Sequence, residues 1–188
     1  TPRAGINISE GTWGGHIIEY NDIFNTVKET GDHGTINSWG RDRFWHPNYN
    51  VMTQITNEKP ALILADVVEP IIIRHNRLRC DRGWDIDLDD GSSNYQIYNN
   101  LCLNGGIKLR EGFYRTVENN IIVNNTLHPH LWFKNSGDVF SRNIVMTKYK
   151  PISVRGWGRE VDYNIFADSL AYLAARQLGG DAHSIVTT

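Results

Sequence analysis

The fold the sequence predicts is all-β, a right-handed parallel β-helix with about 22 residues per coil, and three observations carry that expectation. First, an Asn-bearing step ending in an apolar residue recurs as YNDIF at 20–24, HNRLR at 75–79, YNNLC at 98–102, ENNII at 118–122, SRNIV at 141–145 and DYNIF at 162–166. From Leu78, the apolar positions Leu101, Ile121, Ile144 and Ile165 follow at intervals of 23, 20, 23 and 21. Second, a set of alternating segments keeps a similar period: DIDLD at 85–89, GIKLR at 106–110, HLWFK at 130–134 and PISVR at 151–155. Ile86, Ile107, Leu131 and Ile152 are their expected inward residues, stacked in one wall. Third, Gly and Asn stand at the corners and no helical period lies between the strands. A short unit of this kind cannot bury its apolar face alone and is stable only when stacked on its neighbours. Leucine-rich repeats require a denser Leu pattern, and a propeller blade needs about twice the period.

A chain of 188 residues, 40% hydrophobic and 21% charged, has the composition of one ordinary globular domain. The net charge of −2 gives no electrostatic footprint for nucleic acid, and no apolar run reaches membrane length. Thr1-Pro2 at one end and Ile185–Thr188 at the other carry no terminal signal, which suggests a segment of a longer protein. Cys80 and Cys102 form neither a disulfide framework nor a zinc spacing, and their places in the repeat point them to opposite sides of a wall.

Taken in order, the chain opens with the first signature and then breaks period, since the step from Ile23 to Leu78 is more than twice the regular one. Residues 31–50, GDHGTINSWGRDRFWHPNYN, are rich in Asp, His, Arg, Trp and Tyr and read as a long loop folded over one face. Residues 61–73 return to apolar strand material, with Pro70 as a corner. Regular coils follow from His75 to Ala167. Asp168 and Ser169 then start a short helix to about Gln177, stopped by Gly179 and Gly180 and suited to covering an open edge.

The stretch Trp84–Asn94, WDIDLDDGSSN, concentrates the chemistry. Alternation turns Ile86 and Leu88 inward and projects Asp85, Asp87 and Asp89 together from the outer face. Same-face neighbours lie roughly 7 Å apart at the Cα atoms, so mutual repulsion raises at least one pKa. Coil-by-coil alignment sets Asp85 over Gly106 and His130, Asp87 over Lys108, Trp132 and Ser153, and Asp89 over Arg110, Lys134 and Arg155. That surface runs from acidic through basic to aromatic. Trp84, Trp132 and Trp157 lie on or beside these strands, and indoles are flat platforms for sugar rings. Glu111 follows Arg110 at the same edge. His33 and Asp42 enter from the loop, His33 as an acid or base beside Asp32. His128 and His130, flanking Pro129, read as polar contacts because no third ligand is suitably spaced. The plain alternative for all of these is a solvated face with structural ion-pair ladders.

The strings GTINSWGRDRFW, RCDRGWDIDLDDGSSNYQIYNNLCLNGGIKLREGFYR and HPHLWFKNSGDVF resemble β-helix glycoside hydrolases of the α-L-fucosidase and xylanase family, over about residues 11–184. The resemblance implies a carbohydrate substrate, secretion or a periplasmic location, no cofactor, and a carboxylate pair matched by the acids of WDIDLDD and by Asp42. Catalytic candidates are therefore Asp85, Asp87, Asp89 and Asp42. Candidates for substrate binding are His33, Trp84, Lys108, Arg110, Glu111, His130, Trp132, Lys134, Arg155 and Trp157. Two other functions remain open. One is a polysaccharide lyase, in which the aspartates hold Ca²⁺ against a uronate and Lys108 or Arg110 is the base. The other is a glycan-binding module whose acids only solubilise it. No metal site is read otherwise, and no nucleic-acid or membrane partner is expected.

Overall fold

The computed structural model describes residues 1–9 and 13–187; Gly11, where the span of the family resemblance begins, lies outside them. A triplet of short strands recurs along the chain. β1 (Ile6–Ile8), β2 (Ile17–Glu19) and β3 (Asp22–Ile23) precede β4 (Gly34–Trp39), α1 (Tyr49–Glu58), β5 (Ile71–Arg74) and β6 (Arg77–Leu78). The regular triplets follow: β7 (Trp84–Asp89), β8 (Tyr95–Tyr98), β9 (Leu101–Cys102); β10 (Ile107–Leu109), β11 (Arg115–Glu118), β12 (Ile121–Ile122); β13 (Leu127–Pro129), β14 (Val139–Ser141), β15 (Ile144–Val145). The chain closes with β16 (Glu160–Asp162), β17 (Ile165–Phe166), α2 (Ser169–Gln177) and β18 (Ile185–Val186).

Each member of a triplet belongs to a different sheet. The first sheet is ordered β1-β4-β7-β10-β13, the second β16-β14-β11-β8-β5-β2 and the third β18-β17-β15-β12-β9-β6-β3, with parallel pairing throughout. From β5 onward, each register partner lies one repeat further along the chain. Like residues therefore stack. Ile36, Ile86, Ile107 and Leu127 line the first sheet, and Ile73, Ile97, Val117, Phe140 and Val161 the second. Leu78, Cys102, Ile122, Val145 and Phe166 line the third. All are buried in one core, which removes apolar surface from water at roughly 25 cal/mol per Å². Both cysteines are free thiols, Cys102 within its stack and Cys80 buried beside a corner.

The recurrent Asn has a specific task. Asn21, Asn76, Asn100, Asn120, Asn143 and Asn164 form a ladder in which each Nδ2 donates to the next Oδ1 at 3.0 to 3.3 Å. Each Oδ1 from Asn76 onward also accepts the backbone N–H of the preceding ladder residue. The residue just before each ladder Asn, namely Tyr20, His75, Asn99, Asn119, Arg142 and Tyr163, takes the left-handed conformation, with φ of 55 to 58°. Left-handed geometry thus falls on the preceding residue, and the ladder Asn satisfies the polar backbone of the bend. Asn120→Ala should cost about 2–4 kcal/mol, because it strands the Asn100 N–H and two backbone carbonyls inside the protein. Urea unfolding should show a lower midpoint at unchanged slope; an unchanged midpoint would contradict the ladder's role.

Four expectations are corrected. Residues 31–50 are not a loop throughout: Gly34–Trp39 is β4, paired to β7, and residues 49–58 form α1, capped by the Asn48 side chain. GTINSW already alternates, with Ile36 inward, and its polar residues obscured that pattern. Residues 60–64 form a 3₁₀ turn started by Pro60, because Pro supplies no N–H to a ladder but suits a first helical position. Together with α1 it buries a second cluster of Phe44, Met52, Ile63, Phe113 and Phe133, which accounts for the interrupted period.

The third correction is register. Ile107 pairs with Leu127, not Leu131, which is half-buried and left-handed at φ 55°. Ile152 is 54% exposed. Among the described residues β13 is the edge strand of the first sheet, and beyond it lie the isolated bridge His130↔Ile152 and the Lys150 N–H bonded to the Leu127 carbonyl. That edge tolerates Pro129, which has no N–H to donate to a further strand. As the fourth correction, Trp132 faces inward with no exposure, donates its indole N–H to the Leu109 carbonyl at 2.8 Å, and meets Trp157 edge to face at 6.1 Å. Trp157 likewise packs on the core.

Asp168 accepts the Ala171 N–H as N-cap of α2, whose Ala171 and Ala175 pack on the core. Among the described residues, no helix is long and apolar enough to cross a membrane.

Candidate functional site

The outward residues of the first sheet fall into two rows. One runs Asn7, Asn37, Asp87, Lys108, His128 in direct register. The other begins with Trp39 beside Asp89 and continues to Arg110 and His130, each just beyond a paired strand position. Lys108 is the hub. Its Nζ lies 3.0 Å from Asp87 Oδ1, 3.5 Å from Asp89 Oδ1 and 3.8 Å from Asp32 Oδ1, and 4.1 Å from the centre of the Trp84 ring. Arg110 continues the network, with Nη1 3.0 Å from both Asp89 and Asp90, and Nε 2.8 Å from Glu111.

A short segment covers part of this face. Gly34 donates its N–H to Asn37 Oδ1 and lies so close to the first row that a Cβ there would meet Asp87 Cβ at 2.7 Å. Only glycine fits that approach. His33 is held by contact of its Nε2 with Arg3 at 2.7 Å, and Asp32 remains open to solvent. Asp87 is consequently buried, and neither of its oxygens has a well-aligned hydrogen-bond donor among the described residues; the Lys108 contact is a charge pairing.

Burial separates the two central carboxyl groups. Asp87 is pushed up to about 7, chiefly by desolvation and further by the charges of Asp89 and Asp32, against the pull of Lys108. Burial acts the same way on Asp89, but Lys108 and Arg110 together outweigh it and hold that carboxyl below the usual range. Near neutral pH, Asp87 therefore retains a proton for part of the time while Asp89 is ionised. Burial, with Lys150, His130 and Lys108 adding to it, lowers His128 to about 3. Burial with Lys108 and Arg110 lowers His130 to about 4. Both rings are neutral, stand edge to face with Trp84, and bury an Nε2 that lacks a partner among the described residues. His33 is also lowered, by burial and then by Arg3.

The fold brings Asp87, Asp89, Lys108, Arg110, Trp84, His130 and His33 to this face. It removes others. Asp85 does not project with the other acids: it accepts backbone N–H groups from Cys80, Asn104, Gly105 and Gly106 at 2.7 to 3.1 Å, and so holds a corner together. Burial raises it to about 6, against those four donors. Asp42 lines a separate small recess with Ser38, Ser92, Ser93 and Tyr95. Glu111 is buried, raised by desolvation, and occupied by Arg110 and by the Trp45 indole N–H at 3.1 Å. Lys134 and Arg155 line a groove beside α1 and do not stand in the Asp89 row. Trp132 and Trp157 belong to the core.

From the sequence, His33 takes the site role with its neighbour Asp32 held in reserve as a loop acid, and His128 is reduced to a polar contact. The signal for His128 was present. The step from Leu101 to Ile121 is the shortest in its series, and the same step from Ile107 reaches Leu127, which sets His128 beside Lys108.

Oxygens of Asp32, Asp87 and Asp89 lie within 4.8 Å of one another, a spacing at which carboxylates can share a cation. The Lys108 ammonium already sits among them, 3.0 to 3.8 Å from all three. The residues present thus fit a built-in counter-ion better than Ca²⁺, and no step is routed through a metal. Compared with protein-family models, with curated proteins and with solved structures, the chain matches none.

Proposed function

We propose that the three parallel sheets are the walls of a right-handed parallel β-helix and that the outer face of the first is the active site of a glycoside hydrolase. Support for the fold reading is the cyclic passage of the chain from first to second to third sheet, with parallel partners about one unit apart. Crossovers between parallel strands are right-handed in nearly all known sheets.

One observation carries the catalytic reading: two carboxyl groups with oxygens within 4.8 Å, one raised to about 7 and the other lowered. Glycoside hydrolysis needs such a pair, a protonated acid for the leaving oxygen and an ionised partner as nucleophile or base. Asp87 takes the first role and Asp89 the second. A separation of about 5 Å belongs to the retaining mechanism. Lys108 and Arg110 keep Asp89 ionised, and Trp84 with His130 borders the sugar site. Asp87 delivers its proton once the Asp32–Gly34 segment moves off it.

Lysis by β-elimination fits less well. It needs a neutral base to take the proton, whereas Lys108 is ion-paired with Asp87 and Asp89, and Arg110 with Asp89, Asp90 and Glu111, contacts these side chains make in their charged form.

A panel of plant and algal glycans, assayed for reducing ends and for unsaturated uronate with and without chelator, tests the reading. The expected products are reducing sugars of retained anomeric configuration, formed equally with chelator. Activity should fall as pH rises through about 7, where Asp87 loses its proton, and also at acid pH, where Asp89 gains one. Unsaturated products that disappear with chelator would replace hydrolysis by lysis.

A further inference from the structure

Away from the first-sheet face, a groove lies between α1 and the segment after β13. It has a volume of about 460 Å³ and is lined by Tyr49, Asn57, Phe133, Lys134, Asn135 and Arg155, with Thr53 at its wall. Its floor is rigid. Phe133 is buried and stacks on Tyr49 at 4.7 Å, and on its other side on Phe113 at 4.7 Å. The Tyr49 hydroxyl donates to the Trp132 carbonyl at 3.1 Å, which fixes the ring. The Arg155 guanidinium lies 4.2 Å from the centre of the Tyr49 ring.

Among the described residues the guanidinium makes this ring contact and no side-chain hydrogen bond. Among the described residues, neither Arg155 nor Lys134 is salt-bridged to a carboxylate, unlike Lys108 and Arg110. Two uncompensated cations at the mouth of an aromatic-floored groove, with the amides of Asn57 and Asn135 beside them, complement a ligand that joins a negative charge to a ring. The guanidinium fork matches a planar carboxylate, and the two amides match the hydroxyls of a sugar.

We infer that this groove binds the uronate residue of an acidic glycan, with the carboxylate at Arg155 and Lys134 and the sugar hydroxyls at the Asn57 and Asn135 amides, beside the half-buried edge of Tyr49. The inference deepens the hydrolase reading and rests on it for the choice of a sugar as ligand. One charged group links it electrostatically to the proposed active site. Glu111, paired with Arg110, contributes its charge to the surroundings of the Tyr49 phenol.

Side-chain and backbone NMR titration of the whole chain with the methyl glycosides of glucuronate and galacturonate provides the test, with the neutral methyl glucoside and galactoside as controls. At least one uronide should shift the Tyr49, Lys134 and Arg155 signals and bind about 10-fold more tightly than its neutral counterpart, consistent with one added charge-assisted contact. Added salt should shrink that difference. The double variant Lys134→Gln/Arg155→Gln should lose the preference without a change in melting temperature, since both side chains are exposed. Equal affinity for charged and neutral sugars, the absence of shifts at these residues, or an undiminished preference in the double variant would each overturn the assignment. This readout needs no turnover. A charge preference at the groove in a protein that cleaves no glycan would leave the uronate site standing and remove the hydrolase reading, and cleavage without the preference would do the reverse.

Discussion

Asp87→Asn should lower the rate of glycan cleavage by roughly 10²- to 10⁴-fold, the usual contribution of a positioned acid or base. The same change should stabilise the fold above neutral pH. An Asp in the unfolded chain titrates near about 3.9, whereas Asp87 in the fold is raised to about 7. Between these values the folded state binds the extra proton, so rising pH draws stability out of the native protein until Asp87 is fully ionised. Removing the carboxyl relieves a penalty on the order of a few kcal/mol at about pH 8 and nothing at about pH 3.5. Lys108 retains Asp89 at 3.5 Å and Asp32 at 3.8 Å in the variant, so the relief is only partly offset. Thermal melts of parent and variant at several pH values, run beside the activity assay, measure both effects. Full activity in the variant would move the acid elsewhere, and equal melting differences on the acid and alkaline sides of neutrality would show that Asp87 is not the group that burial perturbs.

Trp132→Ala should destabilise the protein by about 3–5 kcal/mol, the range for an aromatic side chain removed from a core. The indole is fully buried, meets Trp157 edge to face, and donates to the Leu109 carbonyl, so the change leaves a cavity and removes one of the two hydrogen bonds on that carbonyl, which keeps the His130 N–H. Urea denaturation should show the loss directly. Folded Trp132→Ala protein at low temperature should bind sugars at the first-sheet face as the parent does, because Trp132 does not line that face. Weakened sugar binding with unchanged stability would put the ring outside, where simple alternation through HLWFK places it.

What the sequence determined by itself is the repeat and its chemistry of stacking. The regular period, the Asn before each apolar step and the inward Ile86 and Ile107 are local patterns, and in parallel strands a local pattern repeated is a lateral contact. The pairing of Asp87 with Lys108 followed from the same rule. Tertiary structure alone decided where each strand began and what covered it. Leu127 and Leu131 offer the same side chain within one short segment; the short step from Leu101 to Ile121 favours Leu127, and the pairing of β13 with β10 settles it. Asp85 and Asp87 are equivalent in an alternating string. One is turned into a corner by backbone N–H groups of nearby Cys80 and of Asn104, Gly105 and Gly106 from the next triplet's approach, and the other lies beneath Gly34 from the preceding triplet. Both are fully buried, and their different partners follow from segments brought together across the fold; desolvation by such segments is a property of three-dimensional packing that no local spacing of residues encodes.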